Sequence, residues 1–362
     1  MTAKWVRFEG PGGSAKTSII SSQNIELPNL KPGDKGSFVI SPPDNWKSAD
    51  ALYLTARDPF DNEIFTWSYP VRTPKEVNKG FLSPKPKSPI KTETKAGSIT
   101  VDANGRHYTF SGTTGLLTAV KKNGRVIPFN NGPIIFDHKD KIESLDVNTL
   151  EDRTEILTVF EATDKSPNWA SYKEYSSDVV KWTVHANGLL DLHVEIKGKK
   201  IVTGFKGITF SFPESEVSGM KWLGDGPYRV WRNRMKGTRF QVWENDYNNT
   251  VTGESGFVYP EFKGFFSSLY WARVKGKNNK GFTVYCHSEN TFLRMLTPQQ
   301  PKEDPKHRVS VDFPEGDISF VKNIPAIGTK FQTGDKMGPQ GNSENYLGND
   351  DDPISIDLTF EF

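Results

Sequence analysis

The sequence predicts an all-β chain: an immunoglobulin-like β-sandwich followed by a larger antiparallel β-sandwich. Three observations carry this. Apolar residues alternate with polar ones over short runs, as in half-buried strands. Turn chemistry punctuates those runs, with 31 Gly and 24 Pro among 362 residues. No long stretch keeps the 3.6-residue apolar period of an amphipathic helix.

In order, residues 1–71 read as short strands divided by turns, the spacing of an immunoglobulin-like sandwich. A Leu-Pro-x-Leu-x-Pro-Gly-Asp turn leads into an expected strand at Gly36–Ser41. Ala51–Arg57 and Ile64–Val71 are further strands on either side of the polar turn DPFDNE. Residues 72–96, rich in Lys, Pro, Ser and Thr, read as an extended linker with little to bury. Residues 97–362 form the second domain. Turns are expected at Thr113–Gly115 and at Asn123-Gly124, and a hairpin around Asn187-Gly188. Leu190, Leu192, Val194 and Ile196 share one strand face, opposite Asp191, His193 and Glu195. The final strand sets Ile354, Ile356, Leu358, Phe360 and Phe362 against Ser355, Asp357, Thr359 and Glu361.

Composition narrows the function. The 46 basic and 44 acidic residues leave a formal charge of +2, which offers no electrostatic pull toward nucleic acid or an anionic membrane. No apolar run approaches a membrane span. A neutral ligand or a protein surface fits better. The single cysteine, Cys286, sits in the alternating run GFTVYC and reads as a buried structural thiol. The start, MTAKWVRFEGPGG, carries no apolar signal region, so periplasmic or secreted localisation would require a leader upstream.

Several motifs have a bland reading beside a chemical one. GPGGSAKT at Gly10–Thr17 nearly spells a phosphate-binding loop, but Ala15 replaces its second glycine and no helix follows, so a turn between strands is preferred. The six histidines show no zinc spacing; His185 and His193 lie across one hairpin and could approach each other. Asp350, Asp351 and Asp352 could hold a structural calcium ion, although a solvated turn explains them more simply; no other cofactor is expected.

Between Trp222 and Trp271 the chain gathers aromatics beside polar groups. Sugars stack C–H faces on aromatic rings and offer hydroxyls to Asp, Asn and Arg, so a concave site with this mixture suits a carbohydrate. The competing reading is that these aromatics are core.

The run GITFSFPESEVSGMKWLGDGP resembles the C-terminal small-chain domain of glycoside hydrolase family 2 β-galactosidases, in which a strand exits through an aromatic-Gly-x-Gly-Pro turn. Trp231 and Arg234 occupy the aromatic-x-x-Arg positions that follow it. YPEFKGFFSSLYWARV, WTVHANGLLDLHVEI and AGSITVDANGRHYTFSGTTGLLTAVKKNGRVI resemble other family segments, and residues 18–71 the immunoglobulin-like domain that precedes them. Two positions depart from the pattern: Arg229 stands where a glutamate is usual, and Phe331 is the nearest aromatic to the family's galactose-site tryptophan.

The resemblance implies a galactose mutarotase-like β-supersandwich at 97–362, and a non-catalytic module packed on the catalytic barrel of a parent enzyme. It implies carbohydrate, a galactoside or a plant or host glycan, as ligand, with candidate contacts Asp225, Arg229, Trp231, Arg234, Trp243, Tyr247 and Phe331. The catalytic glutamates would lie on that barrel, so this chain alone is expected to be inactive. Two alternatives remain: an autonomous carbohydrate-binding module with a cleft at Trp231, Trp243 and Tyr247, and an aldose 1-epimerase-like enzyme.

Overall fold

The structure, a computed structural model, describes residues 1–82, 88–136, 141–164, 171, 173, 175–197, 201–202, 205–246, 264–296, 315–326, 345–346 and 353–362. Strands dominate. The first part contains β1 (Thr2–Phe8), β2 (Thr17–Asn24), β3 (Ala51–Arg57), β4 (Glu63–Pro70) and helix α1 (Pro74–Phe81). Then come β5 (Lys91–Lys95), β6 (Ser98–Ala103), β7 (Arg106–Ser111), β8 (Leu117–Lys122), β9 (Arg125–Ile127), β10 (Asn130–Ile135), β11 (Ile142–Thr149) and β12 (Arg153–Phe160). After the short pair β13 (Thr163–Asp164) and β14 (Tyr175–Ser176) lie β15 (Val179–His185), β16 (Leu190–Ile196), β17 (Ile201–Val202) and β18 (Lys206–Ser211). The remainder is β19 (Val217–Gly226), β20 (Arg239–Asn245), β21 (Trp271–Gly276), β22 (Phe282–Cys286), β23 (Phe292–Met295), β24 (Ile318–Asn323), β25 (Asn345–Tyr346) and β26 (Ile354–Glu361).

Two nine-stranded antiparallel sheets form the body. One runs β23-β24-β18-β10-β8-β7-β6-β5, with β9 paired to β8; the other runs β11-β12-β15-β16-β26-β22-β21-β19-β20. Their facing sides share one core: Tyr108, Phe110 and Phe210 from the first sheet, with Phe129 from the β9–β10 connection, meet Trp182, Trp222, Phe282 and Phe360 from the second. The alternation in β16 and β26 accounts for this, because Leu190, Leu192, Val194, Ile356, Leu358 and Phe360 all point inward. Each such side chain contributes about 1.5–3 kcal/mol by leaving water. The second sheet's other face carries the polar partners of those strands, and residues 1–82 cover one end of it.

Residues 1–82 supply one four-stranded sheet, ordered β2-β1-β3-β4. One face sets Val6, Phe8, Ala51 and Tyr53 against Leu223, Phe240, Val242, Tyr270 and Trp271 of the second nine-stranded sheet. On the opposite face Ala3 and Trp5 pack under Ile25, Ile40, Trp46 and Ala49 from the connection between β2 and β3. Alternation along β1 puts Ala3 and Trp5 on one face and Val6 and Phe8 on the other, so this strand feeds both.

Two local expectations differ from the structure. Gly36–Ser41 is not a strand. It lies in the connection that crosses the sheet, where it has no ladder to join, and Val39 is 88% exposed. The stretch read as linker carries α1 and β5. Thr73 and Glu76 form a reciprocal capping box and Pro74 occupies the first turn, while Val77 and Asn78 are buried. Eight residues with those start signals disappear in a window average dominated by Lys, Pro and Ser.

Candidate functional site

Gly224-Asp225-Gly226, expected as a strand-exit turn, is the last part of β19 and stays paired to β20; the loop between the two strands opens at Pro227. Gly224 passes so close to the chain opposite that a Cβ would lie 3.0 Å from the carbonyl oxygens of Ser267 and Ser268. At Gly226 a Cβ would lie 2.8 Å from the Trp243 ring. Bare backbone is therefore required at both positions, and Asp225 between them is held in place. Its Oδ2 accepts hydrogen bonds from Ser267 Oγ at 2.9 Å and Ser268 Oγ at 2.6 Å. Its N–H donates to Ser267 O at 2.9 Å. Burial pushes the Asp225 carboxyl above its ordinary value, and the two serine hydroxyls offset part of that rise.

Beyond Pro227, Val230 pairs with Phe265 through mutual main-chain bonds of 2.7 and 3.1 Å, and Arg232 N donates to Pro325 O at 3.1 Å. The Arg229 guanidinium lies 5.4 Å from the centre of the Phe266 ring. Tyr228 is 48% exposed, and Arg234 also faces solvent. The loop is thus fixed by its main chain and presents Tyr228 and Arg234 outward.

The expected contact residues separate accordingly. Asp225 lies at the end of β19, and Arg229 and Arg234 lie on the loop that follows it. Trp231 is 0% exposed and meets Phe265 edge-on at 5.6 Å, so both ring faces serve packing and neither can stack on a sugar. Trp243 is partly buried against the main core, with its indole N–H donating to Arg239 O at 3.0 Å. Tyr247, Phe331 and the aspartates Asp350, Asp351 and Asp352 lie outside the described residues.

His185, His193 and His287 lie on the second sheet, each with a polar partner, while His107 sits on β7 of the first sheet beside Asp102. His185 Nε2 is 2.7 Å from Asp191 Oδ2, His193 Nδ1 is 2.6 Å from Asp357 Oδ1, and His287 Nε2 is 2.9 Å from Thr359 Oγ1. In the β15–β16 ladder His193 stands opposite Lys181, so His185 and His193 are not cross-strand partners. Among the described residues no group of three or more His, Cys, Asp and Glu is arranged to hold a metal ion. Likewise, none of their helices is long and apolar enough to cross a membrane. Cys286 is fully buried, its thiol raised by burial, in keeping with a structural role.

Two features lay beyond sequence reasoning. Arg294 is a fully buried cation, bonded to Ser319 Oγ and to the carbonyls of Glu315 and Gly316, and burial brings its pKa down to about 10. The other is a row of four charged residues and one threonine across β20, β19, β21, β22 and β26, on the floor of a groove of about 1060 Å³ beside residues 1–82. Alternation marks its members as outward-facing, but their register across five strands is a property of the fold alone.

Two large antiparallel sheets around one aromatic core, with a pinned loop at one end, define a large antiparallel β-sandwich. The chain belongs to the β-galactosidase small chain family, whose profile matches residues 102–315, more than half its length. No curated protein sequence matches it. Among solved structures, a candidate mutarotase (YeaD) from Salmonella typhimurium is 12% identical with a TM-score of 0.36, covering 79% of this chain and 98% of its own. A candidate aldose 1-epimerase from Escherichia coli K12 is 10% identical with a TM-score of 0.33, covering 75% and 98%. Likeness at that level carries no functional weight.

Proposed function

We propose that this chain is a non-catalytic module of the β-galactosidase small-chain type, which packs on a larger catalytic partner and lends one wall to a saccharide pocket. The observation that carries this reading is the Gly224–Gly237 segment within a family-matched domain. It is pinned through Asp225, Val230 and Arg232, and it offers an exposed phenol and guanidinium at Tyr228 and Arg234. A rigid loop binds without first paying to order its contacts. Arg supplies directed donors for sugar hydroxyls, and Tyr supplies a ring face with a polar tip. Asp225 and Arg229 hold the loop from below in this reading, and Trp243 closes its base.

Calorimetric titration of the full chain with a galacto-oligosaccharide panel tests the binding half. Binding that Arg234→Ala weakens about tenfold, the scale of one lost charge-assisted hydrogen bond, is expected. A flat titration across the panel overturns it.

A further inference from the structure

The groove beside the first domain has a charge pattern that the loop reading does not use. Its floor is a row of side chains, one from each of five adjacent strands. Glu244 on β20 pairs with Lys221 on β19, Lys221 with Arg273 on β21, Arg273 with Thr283 on β22, and Thr283 with Glu361 on β26. Strands lie about 4.8 Å apart, so Lys221 and Arg273 bring two positive charges into neighbouring cross-strand positions, an arrangement that is destabilising unless something answers it.

The hydrogen-bond acceptors facing these two cations are neutral. Lys221 Nζ donates to Gly13 O, and Arg273 Nη1 reaches Pro11 O at 3.4 Å. Both carbonyls belong to the Gly10–Gly13 loop that forms the groove's other wall. The carboxylates at either end of the row are engaged elsewhere: Glu244 pairs with Lys275, and Glu361 accepts from Tyr285 Oη at 3.0 Å. Glu9 lies within electrostatic reach of Lys221, but it accepts from the Ser14 N–H.

Lys221 is 4% exposed, while Arg273 opens to solvent. Burial draws the Lys221 ammonium below its ordinary value. Its hydrogen bond goes to a carbonyl and a second cation stands beside it, so the through-space pull of Glu244 and Glu9 offsets its desolvation only in part. The cavity of about 1060 Å³ exceeds what a lone ion needs and matches the size of a multi-ring ligand.

We propose that this groove binds an acidic saccharide, with its oxyanion, a carboxylate or a sulfate ester, placed over Lys221 and Arg273 beside the Gly10–Gly13 loop. Two adjacent cations give a bound oxyanion charge-assisted hydrogen bonds in a partly dehydrated site. Thr283 stands next in the row for a sugar hydroxyl. The saccharide part rests on the carbohydrate reading above; the anion part rests on the row itself.

The test is calorimetric titration of the full chain at low salt with trigalacturonate, 6-sulfated galactotriose, neutral galactotriose and inorganic sulfate. One acidic sugar should bind about tenfold more tightly than the neutral one, and the arm that does so identifies the oxyanion. The exposed Arg273→Gln should remove that preference, while Lys95→Gln, remote from the groove, keeps it. Equal binding of acidic and neutral sugars, or an acidic preference that survives in Arg273→Gln, overturns the proposal. Inorganic sulfate binding as tightly as the sulfated sugar overturns its saccharide part. The neutral sugar reports separately on the loop reading, so the two can fail independently.

Discussion

Ser268 donates its hydroxyl to the Asp225 carboxylate at 2.6 Å, joining the end of β19 to the segment that precedes β21. Ser267 donates to the same oxygen, so this one carboxylate sets where the candidate loop begins. Removing it leaves two serine hydroxyls without their acceptor. Asp225→Ala is expected to cost about 1–3 kcal/mol of stability and to weaken saccharide binding through a loosened loop. Urea denaturation and titration of the same variant check both effects.

Helix α1 is fastened by Asn78, whose amide donates to Tyr270 O at 2.7 Å and Cys286 O at 2.6 Å. Asn78 is fully buried. Asn78→Ala should therefore lower stability by about 1–3 kcal/mol. The lower urea midpoint should be accompanied by faster amide exchange in α1.

Trp231 was expected to serve as a stacking platform and is core instead, with Phe265, Phe292 and Ile324 in its cluster. Trp231→Ala should cost about 3–5 kcal/mol, as for other large-to-small changes at buried aromatics. Trp231→Phe, which keeps most of the volume, should cost far less in a thermal melt and leave saccharide binding in place.

The outward face of the second sheet gives a pH dependence with a definite sign. The hydrogen bond to Asp357 raises His193 above its ordinary value of 6.5, with Glu195 helping against the pull of burial. A raised histidine contributes stability that is fully present below pH 6.5 and lost as pH climbs through its folded value. His287 runs the other way: burial depresses it, so its contribution is lost as pH falls below 6.5. Comparing wild type with His193→Gln cancels the His287 effect. The stability difference should shrink steadily as the pH of the urea titration rises from 6.5 toward 9, whereas a constant difference would contradict the assignment.

Much of the fold was legible because alternation in β15, β16 and β26 is strict and the turn residues between strands are explicit. Asn187-Gly188 sits at the tip of its hairpin, and Gly10–Gly13 connects β1 to β2 as a turn should. Illegible were features decided by distant partners. Apolar residues at Phe38 and Val39 imitate a strand, yet no ladder is available to them. The capping signals of α1 were present in the sequence but brief. At the candidate site, WLGDGP showed its glycines and aspartate plainly, although all of it but the proline continues β19 and does not turn. The sequence could not say that Trp231 faces inward, because an aromatic beside arginines reads alike in a pocket and in a core. The Glu244–Lys221–Arg273–Thr283–Glu361 row was hidden for the same reason, since it exists only once five strands are in register.

The central claim is that the module assists catalysis and does not perform it. The direct measurement is release of nitrophenol from nitrophenyl β-galactoside by the purified chain, alone and with a larger catalytic chain of the β-galactosidase class. The account predicts a rate equal to buffer for the chain alone, and a rise only when the two chains form a complex. Turnover by the chain alone, in proportion to its concentration, would contradict it.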